Sequence, residues 1–366
     1  MNITVLTSSR ADFGIQLPLL RALEADPQIR LSLIAFGSHA DRRYGYTLDE
    51  IIAQGFSPAR VLPPALEVDD AAGISSAMGR TMEQFASIWR DHPVDTIVAL
   101  GDRYEMFSAV AAALPFGIRI AHLHGGETTL GAIDNAFRHS LTHMAQLHFT
   151  AAEPYRQRVV QLTGSDAGVF NTGALSIDNI RTMHLLDANG FNERFGIDLS
   201  RPTALVTVHP ETVNTHDADL HWEVLHTVLR ELAGTLQVLV TLPNADTGGN
   251  TLRERIRGLC LTLTEMHAVD SLGALGYLSC LNLCTFMLGN SSSGYVEASF
   301  FNKRVIDIGD RQAGRIVTPN IIRTPFQRDP IMQAVHRALN EPMVLSGHPY
   351  GDGHAAERMI AHLRTS

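Results

Sequence analysis

The chain has 366 residues, 45% of them hydrophobic and 18% charged, with a net charge of −9. That length allows two domains with cores of their own, the negative balance argues against broad nucleic-acid binding, and no run approaches the ~20 uncharged apolar residues that span a bilayer. Cys260, Cys280 and Cys284 build no disulfide framework and the opening "MNITVLTSSRADFG" reads as a first strand rather than a signal peptide, so a reducing cytoplasm is expected.

Short apolar runs alternate with longer amphipathic segments, the pattern of α/β domains with parallel sheets. Strands are predicted at 3–7, 31–36, 96–100, 118–122, 148–150 and 169–172, with helices at 16–24, 71–90, 104–114 and 134–145. A second series of strands runs through "TALVTVHP", "LQVLVTLP", "LTLTEM", "FMLGN" and "RVIDIG". Residues 175–202 lack a clear strand and read as the connection. The expected division is a Rossmann-like domain at 1–175, a second at 176–348, and a C-terminal helix at 349–366 that caps either of them. Ligands of doubly wound sheets bind beyond the C-terminal strand ends. The motifs below all fall at such ends, so the expected active site is a cleft between the two domains.

"TSSRADFG" (7–14) follows the first strand. Arg10 suits bidentate contact with a diphosphate and Asp12 suits orienting it; an ordinary loop with a surface arginine is the other reading. "VALGDRYE" (98–105) ends a strand with Asp102 and Arg103, where Asp102 is either a group facing the ligand or a helix N-cap. "IAHLHGGETTLGAIDNAFRHS" (120–140) places His122 and His124 on one face of an extended chain. Gly125 and Gly126 permit close approach of a ligand, Glu127 stands beyond them, and Asp134 opens a helix that carries Arg138. This segment reads either as a metal site, with His122, His124, Asp102 and Asp134 as ligands, or as an acid–base site that needs no ion. "HSLTH" lacks the glutamate of the zinc motif H-E-x-x-H.

"TVHPET" (207–212) sets His209 at a strand end, either reaching for a phosphate or sugar or satisfied internally. "TLPNADTGGN" supplies Asn244 at another strand end. "LGNSSSGYVEAS" (288–299) carries Asn290, Ser291, Ser292, Ser293, Gly294 and Glu297 from a buried strand into a helix, an anion cradle of free N–H groups and hydroxyls. Arg311, in "IGDRQAGR", adds positive charge.

Read together and in order, "SSRADFG", "GDRYE", "HLHGGETTLGAID…RHS", "HPET", "PNADTGG", "GNSSSG…EA", "IGDRQAGR" and "PYGDGHAAER" resemble the UDP-N-acetylglucosamine 2-epimerases. The likeness is strongest to the hydrolysing branch that serves sialic and related nonulosonic acid synthesis. It covers nearly the whole chain. The resemblance implies the two-domain glycosyltransferase type B fold and a nucleotide-sugar substrate. It implies no metal and no cofactor, and a homodimer or tetramer built through the first domain. The implied reaction removes the C2 proton, expels the nucleoside diphosphate from C1 to give a 2-acetamidoglycal, and adds water with C2 reprotonated on the opposite face. Asp102, Glu127, Asp134 and His209 fall on catalytic positions. Arg10, Ser291, Ser292, Glu297 and Arg311 fall near nucleotide and diphosphate contacts, and Asp12, Arg103, His124, Arg138, Asn244, Asn290, Ser293 and Gly294 are the further substrate-binding candidates.

Two positions depart from many relatives. His124 stands where they carry a glutamate, and Asn135 where they often place a second acid; an amide cannot exchange a proton as a carboxylate does. Glu127 is therefore the expected C2 base, with Asp102 as its partner. A non-hydrolysing epimerase, a glycosyltransferase of the same fold, a metal-dependent hydrolase and a non-enzymatic nucleotide-sugar sensor are the competing expectations.

Overall fold

The computed structural model describes residues 1–68, 70–129, 133–210, 218–243, 249–343 and 348–365. The chain forms two compact units. The first comprises Met1–Glu127, Asp134–Arg181 and Pro349–Ser366, and the second Thr128–Ile133 and Thr182–His348.

The first unit is built on a seven-stranded sheet: β1 (Asn2–Thr7), β2 (Arg30–Ala35), β3 (Arg60–Val61), β4 (Thr96–Leu100), β5 (Arg119–Leu123), β6 (Leu147–Thr150) and β7 (Val169–Asn171). Their order is 3-2-1-4-5-6-7, with every pair parallel. The strands are apolar on both faces because helices cover both. Ile3, Val5, Val98 and Leu100 face one core, while Leu6, Ile97 and Ala99 face the other. The second unit repeats the plan with β8 (Thr203–Thr207), β9 (Gln237–Thr241), β10 (Met266–Val269), β11 (Phe286–Gly289), β12 (Arg304–Ile308) and β13 (Ile321–Thr324). Their order is 10-9-8-11-12-13, again all parallel. Val206, Leu288 and Ile306 enter one core; Leu205, Met287 and Val305 enter the other. In each sheet the strand order reverses between the first strand and its neighbour across the centre, β1/β4 and β8/β11. Those are the switch points where such sheets hold ligands.

Several boundaries differ from the expected ones. The helix predicted at 16–24 starts at Arg10 and contains Pro18, with Ser9 as its N-cap. The helix predicted at 104–114 stops at Ala111, and Pro115 sits in a separate 3₁₀ turn, Leu114–Phe116. "LTLTEM" is not a strand. It is the turn after the helix Gly249–Cys260, with Leu261 90% exposed, and β10 begins only at Met266. Alternating Leu and Thr mimic a period of two where the chain is turning. β3, two residues long, and β13 carry too short an apolar signal to be seen in advance.

The connection contains two short helices, Leu175–Thr182 and Ala188–Phe195. The C-terminal helix Ala355–Thr365 belongs to the first unit. Asp178 caps it, accepting from the N–H groups of Ala355 (3.0 Å) and Ala356 (2.9 Å). The "PYGDG" turn before it is held where Gly351 packs against Gly173 and Tyr350 Oη meets Tyr155 Oη at 3.3 Å.

Candidate active site

At the C-terminal end of β4, Gly101 has φ +82°, a conformation that favours glycine. Its N–H donates to the Leu123 carbonyl at 3.1 Å and its carbonyl accepts from His122 Nε2 at 2.8 Å. This aims Asp102 off the sheet. Asp102 is no N-cap: the following helix has Arg103 at that position without a side-chain bond. The Asp102 carboxylate is ion-paired instead with Nη2 of Arg138. Arg138, on the helix Asp134–Met144, is almost fully buried and also donates through Nη1 to the main-chain carbonyl of Glu127 at 3.0 Å. One guanidinium thus draws the "GDR" and "HGGE" loops together. Arg103 is tied to Glu105 by two bonds, Nε–Oε2 at 3.2 Å and Nη2–Oε1 at 3.0 Å.

The "HLHGGE" loop owes its shape to its own chain. His124 holds φ +61°, uncommon for a residue with a side chain, and its N–H donates to the Phe149 carbonyl at 2.9 Å. A Cβ on Gly126 would lie 2.3 Å from the Tyr155 carbonyl oxygen; one on Gly125 would lie 3.0 Å from His122 Nδ1. These glycines therefore admit protein, where the sequence suggested close approach of a ligand. Glu127 is 3% exposed and its Oε1 lies 3.3 Å from His124 Nδ1. His124 Nε2 is buried with no hydrogen-bond partner among the described residues.

His122 is fully buried. Its Nε2–H donates to Gly101, and Nδ1 accepts from the Thr142 hydroxyl at 3.2 Å. Burial pushes its pKa down to about 4, against the Gly101 bond that favours the cation. Both nitrogens are engaged, by Gly101 after β4 and by Thr142 of the helix Asp134–Met144, and among the described residues no cluster of His, Cys, Asp or Glu is arranged to hold a metal ion. Asp134 is half-buried in the first turn of the Arg138 helix.

At the end of β1, Asp12 turns into its own loop: its Oδ2 accepts from the N–H of Ser8 at 3.1 Å and its hydroxyl at 2.5 Å. The carboxylate expected to orient a ligand instead shapes the loop that presents Arg10. Arg10 lies near enough to Glu50 to favour that carboxylate's charge, against burial, which raises the Glu50 pKa.

In the second unit, Gly289 ends β11 with φ +148°, and a Cβ there would lie 1.9 Å from the Thr207 carbonyl oxygen. Asn290 follows, fully buried, and brackets the main chain of His209 with its side-chain amide. The three serines lead into a helix by way of a separate turn. Ser292–Gly294 is one 3₁₀ turn, and the helix after it, Glu297–Phe300, has four residues. Ser291 Oγ accepts from the Ser293 N–H at 3.4 Å and lies 3.2 Å from the Ser293 hydroxyl. Hydroxyls and turn N–H groups, rather than a helix macrodipole, are the donors this turn offers to an anion. Gly294 is glycine for packing, since a Cβ would lie 2.8 Å from Val305 Cγ1. Arg311 reaches the Asn290 carbonyl with Nη1 at 3.3 Å, so its charge lies beside the turn. Glu297 is half-buried at the start of the short helix.

Asn244 lies outside the described residues, as do the residues after Pro210 in "HPET". Sequence reasoning passed over Tyr277, whose hydroxyl bonds that of Ser293 while the Thr207 hydroxyl lies beside it. Its advance signal is a tyrosine in a largely apolar helix, Gly273–Leu283.

The UDP-N-acetylglucosamine 2-epimerase family model matches residues 21–364. A hydrolysing UDP-N,N'-diacetylbacillosamine 2-epimerase of Legionella pneumophila is 32% identical, covering 99% of this chain and 95% of that protein. A hydrolysing GDP/UDP-N,N'-diacetylbacillosamine 2-epimerase of Campylobacter jejuni is 35% identical, covering 87% and 83%. Among solved structures, the UDP-GlcNAc 2-epimerase of Neisseria meningitidis bound to UDP-GlcNAc superimposes with a TM-score of 0.85 at 15% identity, covering all of both chains. That likeness carries the fold, two Rossmann-like units of the glycosyltransferase type B class. The family match carries the descent: the chain belongs to the UDP-N-acetylglucosamine 2-epimerase family, in its hydrolysing branch.

Proposed function

We propose that the chain is a hydrolysing nucleotide-sugar 2-epimerase whose first unit supplies the proton-transfer groups and whose second unit binds the nucleoside diphosphate. The observation that carries this reading is the gathering of the Asp102 carboxylate and the Glu127 loop by one buried arginine, Arg138. In this reading Glu127 takes the C2 proton, the C1–O bond breaks, and its electron pair leaves with the diphosphate. The C1=C2 bond of the 2-acetamidoglycal forms. Water then gives its hydroxyl to C1, and C2 is reprotonated on the opposite face. Asp102 and Asp134 serve that second proton transfer. A protein carboxylate with access to both faces, or a pair of them, is the minimum for inversion at C2.

The diphosphate contacts come from the Ser291, Ser292 and Ser293 turn and Arg311, with His209 held beside the turn by Asn290 and Glu297 following it in the chain. These groups stabilise the charge that builds on the leaving group. The substrate is a UDP- or GDP-linked 2-acetamido sugar, either N-acetylglucosamine or a 4-acetamido-4,6-dideoxy relative of the kind that the Legionella and Campylobacter proteins are named for. The free sugar then feeds sialic or nonulosonic acid synthesis in the cytoplasm. The chain assembles as a homodimer or tetramer through its first unit; light scattering after gel filtration tests this.

The test is to offer UDP- and GDP-sugars without an acceptor and identify the products. Free 2-epimerised sugar with nucleoside diphosphate is expected. An epimerised sugar still joined to its nucleotide would mean the non-hydrolysing reaction, and turnover that requires an acceptor would mean a transferase.

A further inference from the structure

Asn290 follows the last residue of β11, and nothing of it reaches solvent. Its N–H donates to the Thr207 carbonyl at 3.1 Å. Strand pairing of β8 with β11 ends at Gly289 and Thr207, but the bonding continues. Asn290 Oδ1 accepts from the His209 N–H at 2.7 Å, and Nδ2 donates to the His209 carbonyl at 2.8 Å. A side-chain amide carries the same donor and acceptor as a peptide group. Asn290 therefore extends the ladder one step past both strands, onto the residue that precedes Pro210. Its partners fix the orientation of the amide, since an N–H needs an acceptor and a C=O needs a donor. The Asn290 main-chain carbonyl separately accepts from Gln312 Nε2 at 2.7 Å and Arg311 Nη1 at 3.3 Å. Its side chain is thus given over to His209, while its backbone anchors the loop after β12.

We infer that Asn290 is a positioning residue for the epimerase reaction, holding His209 at its working position through the main chain without touching substrate. The inference rests on the function proposed above. The amide is required, rather than any residue of that size. An aspartate keeps an acceptor for the His209 N–H but sets its second oxygen against the His209 carbonyl, acceptor against acceptor. Only when protonated does it regain the donor, and burial favours the protonated form.

The experiment compares wild type, Asn290→Asp and Asn290→Ala for kcat, KM and nucleoside diphosphate affinity from pH 6 to 8.5, each ratio taken against wild type at the same pH. Asn290→Ala is expected to lower kcat by about 100-fold with a smaller effect on KM. Asn290→Asp is expected to lose as much at pH 8.5 and to regain about tenfold of its ratio by pH 6. A ratio flat with pH, or a loss confined to KM and nucleotide affinity, would overturn the inference and make Asn290 a ligand contact or a packing residue. Hydrogen exchange at the His209 amide supplies a readout without substrate. Its protection should fall in Asn290→Ala; unchanged protection would refute the clamp even in an active enzyme. Absence of turnover by wild type would instead refute the epimerase reading and leave the exchange result standing.

Discussion

Arg138 meets Asp102 through its carboxylate and Glu127 through its main chain; the two carboxylates stand in different surroundings, and their amide variants should fail in different ways. Glu127 is buried with its carboxylate against His124. Glu127→Gln keeps size and hydrogen bonding but removes the base, so kcat should fall by about 100-fold or more while Tm and nucleoside diphosphate affinity stay near wild type. Asp102 is the counter-charge of a buried arginine. Asp102→Asn leaves the buried Arg138 cation facing a neutral amide, and breaking a partly buried pair of this kind costs on the order of 1–3 kcal/mol. Tm should fall together with kcat. Steady-state kinetics with thermal melts on both variants check this; a Glu127→Gln enzyme at near-normal rate would remove Glu127 from its role. His124 was legible as a departure from relatives, but its positive φ and its place beside Glu127 were not, because neither leaves a mark in residue type.

The loops at the strand ends are rigid for reasons that belong to the elements around them. Gly126 lies where any Cβ meets the Tyr155 backbone, with φ +81° besides. Gly126→Ala should therefore cost about 2–4 kcal/mol or displace the loop that carries Glu127. Gly117→Ala is the control: φ is +65°, but nothing lies within 4 Å of its Cβ, so a loss of about 1 kcal/mol is expected. Equal losses of Tm and activity in the two variants would contradict the packing role given to Gly126. The sequence showed that "HGGE" was a strand-end loop. It did not show that Gly126 makes room for the helix Glu153–Thr163 rather than for substrate, since that contact joins residues some thirty positions apart.

At the scale of the whole chain, acid stability follows from three buried histidines. His39, His122 and His148 each have pKa values pushed down to about 4, chiefly by burial. The unfolded chain takes up these protons near pH 6.5, before the folded one does. Their contribution is complete above pH 6.5 and is lost as pH falls through 4, up to about 3 kcal/mol each. Asp307 works the other way. Burial raises it to about 6 against its Tyr295 bond, so its contribution grows as pH falls from 6 towards 3.8. Three groups outweigh one, and Tm should drop steadily from pH 7 to pH 4.5; a flat or rising Tm would contradict this. The alternation of apolar runs and amphipathic segments made both parallel sheets legible, because burial on both faces demands such runs. Interior residues whose polar atoms are used up locally, such as Asp12 and Asn290, looked in the sequence like ligand contacts. Residue type reports the capacity to bond but not the partner.

In the proposed reaction a proton leaves C2 of the sugar and returns on the other face as the nucleotide departs. Incubation with UDP- and GDP-linked 2-acetamido sugars in deuterated water, followed by NMR of the products, tests it directly. The account requires free sugar with inverted C2 configuration, one deuterium at C2, and free nucleoside diphosphate. Free sugar with its C2 configuration and proton both retained would show simple hydrolysis at C1 and contradict the account.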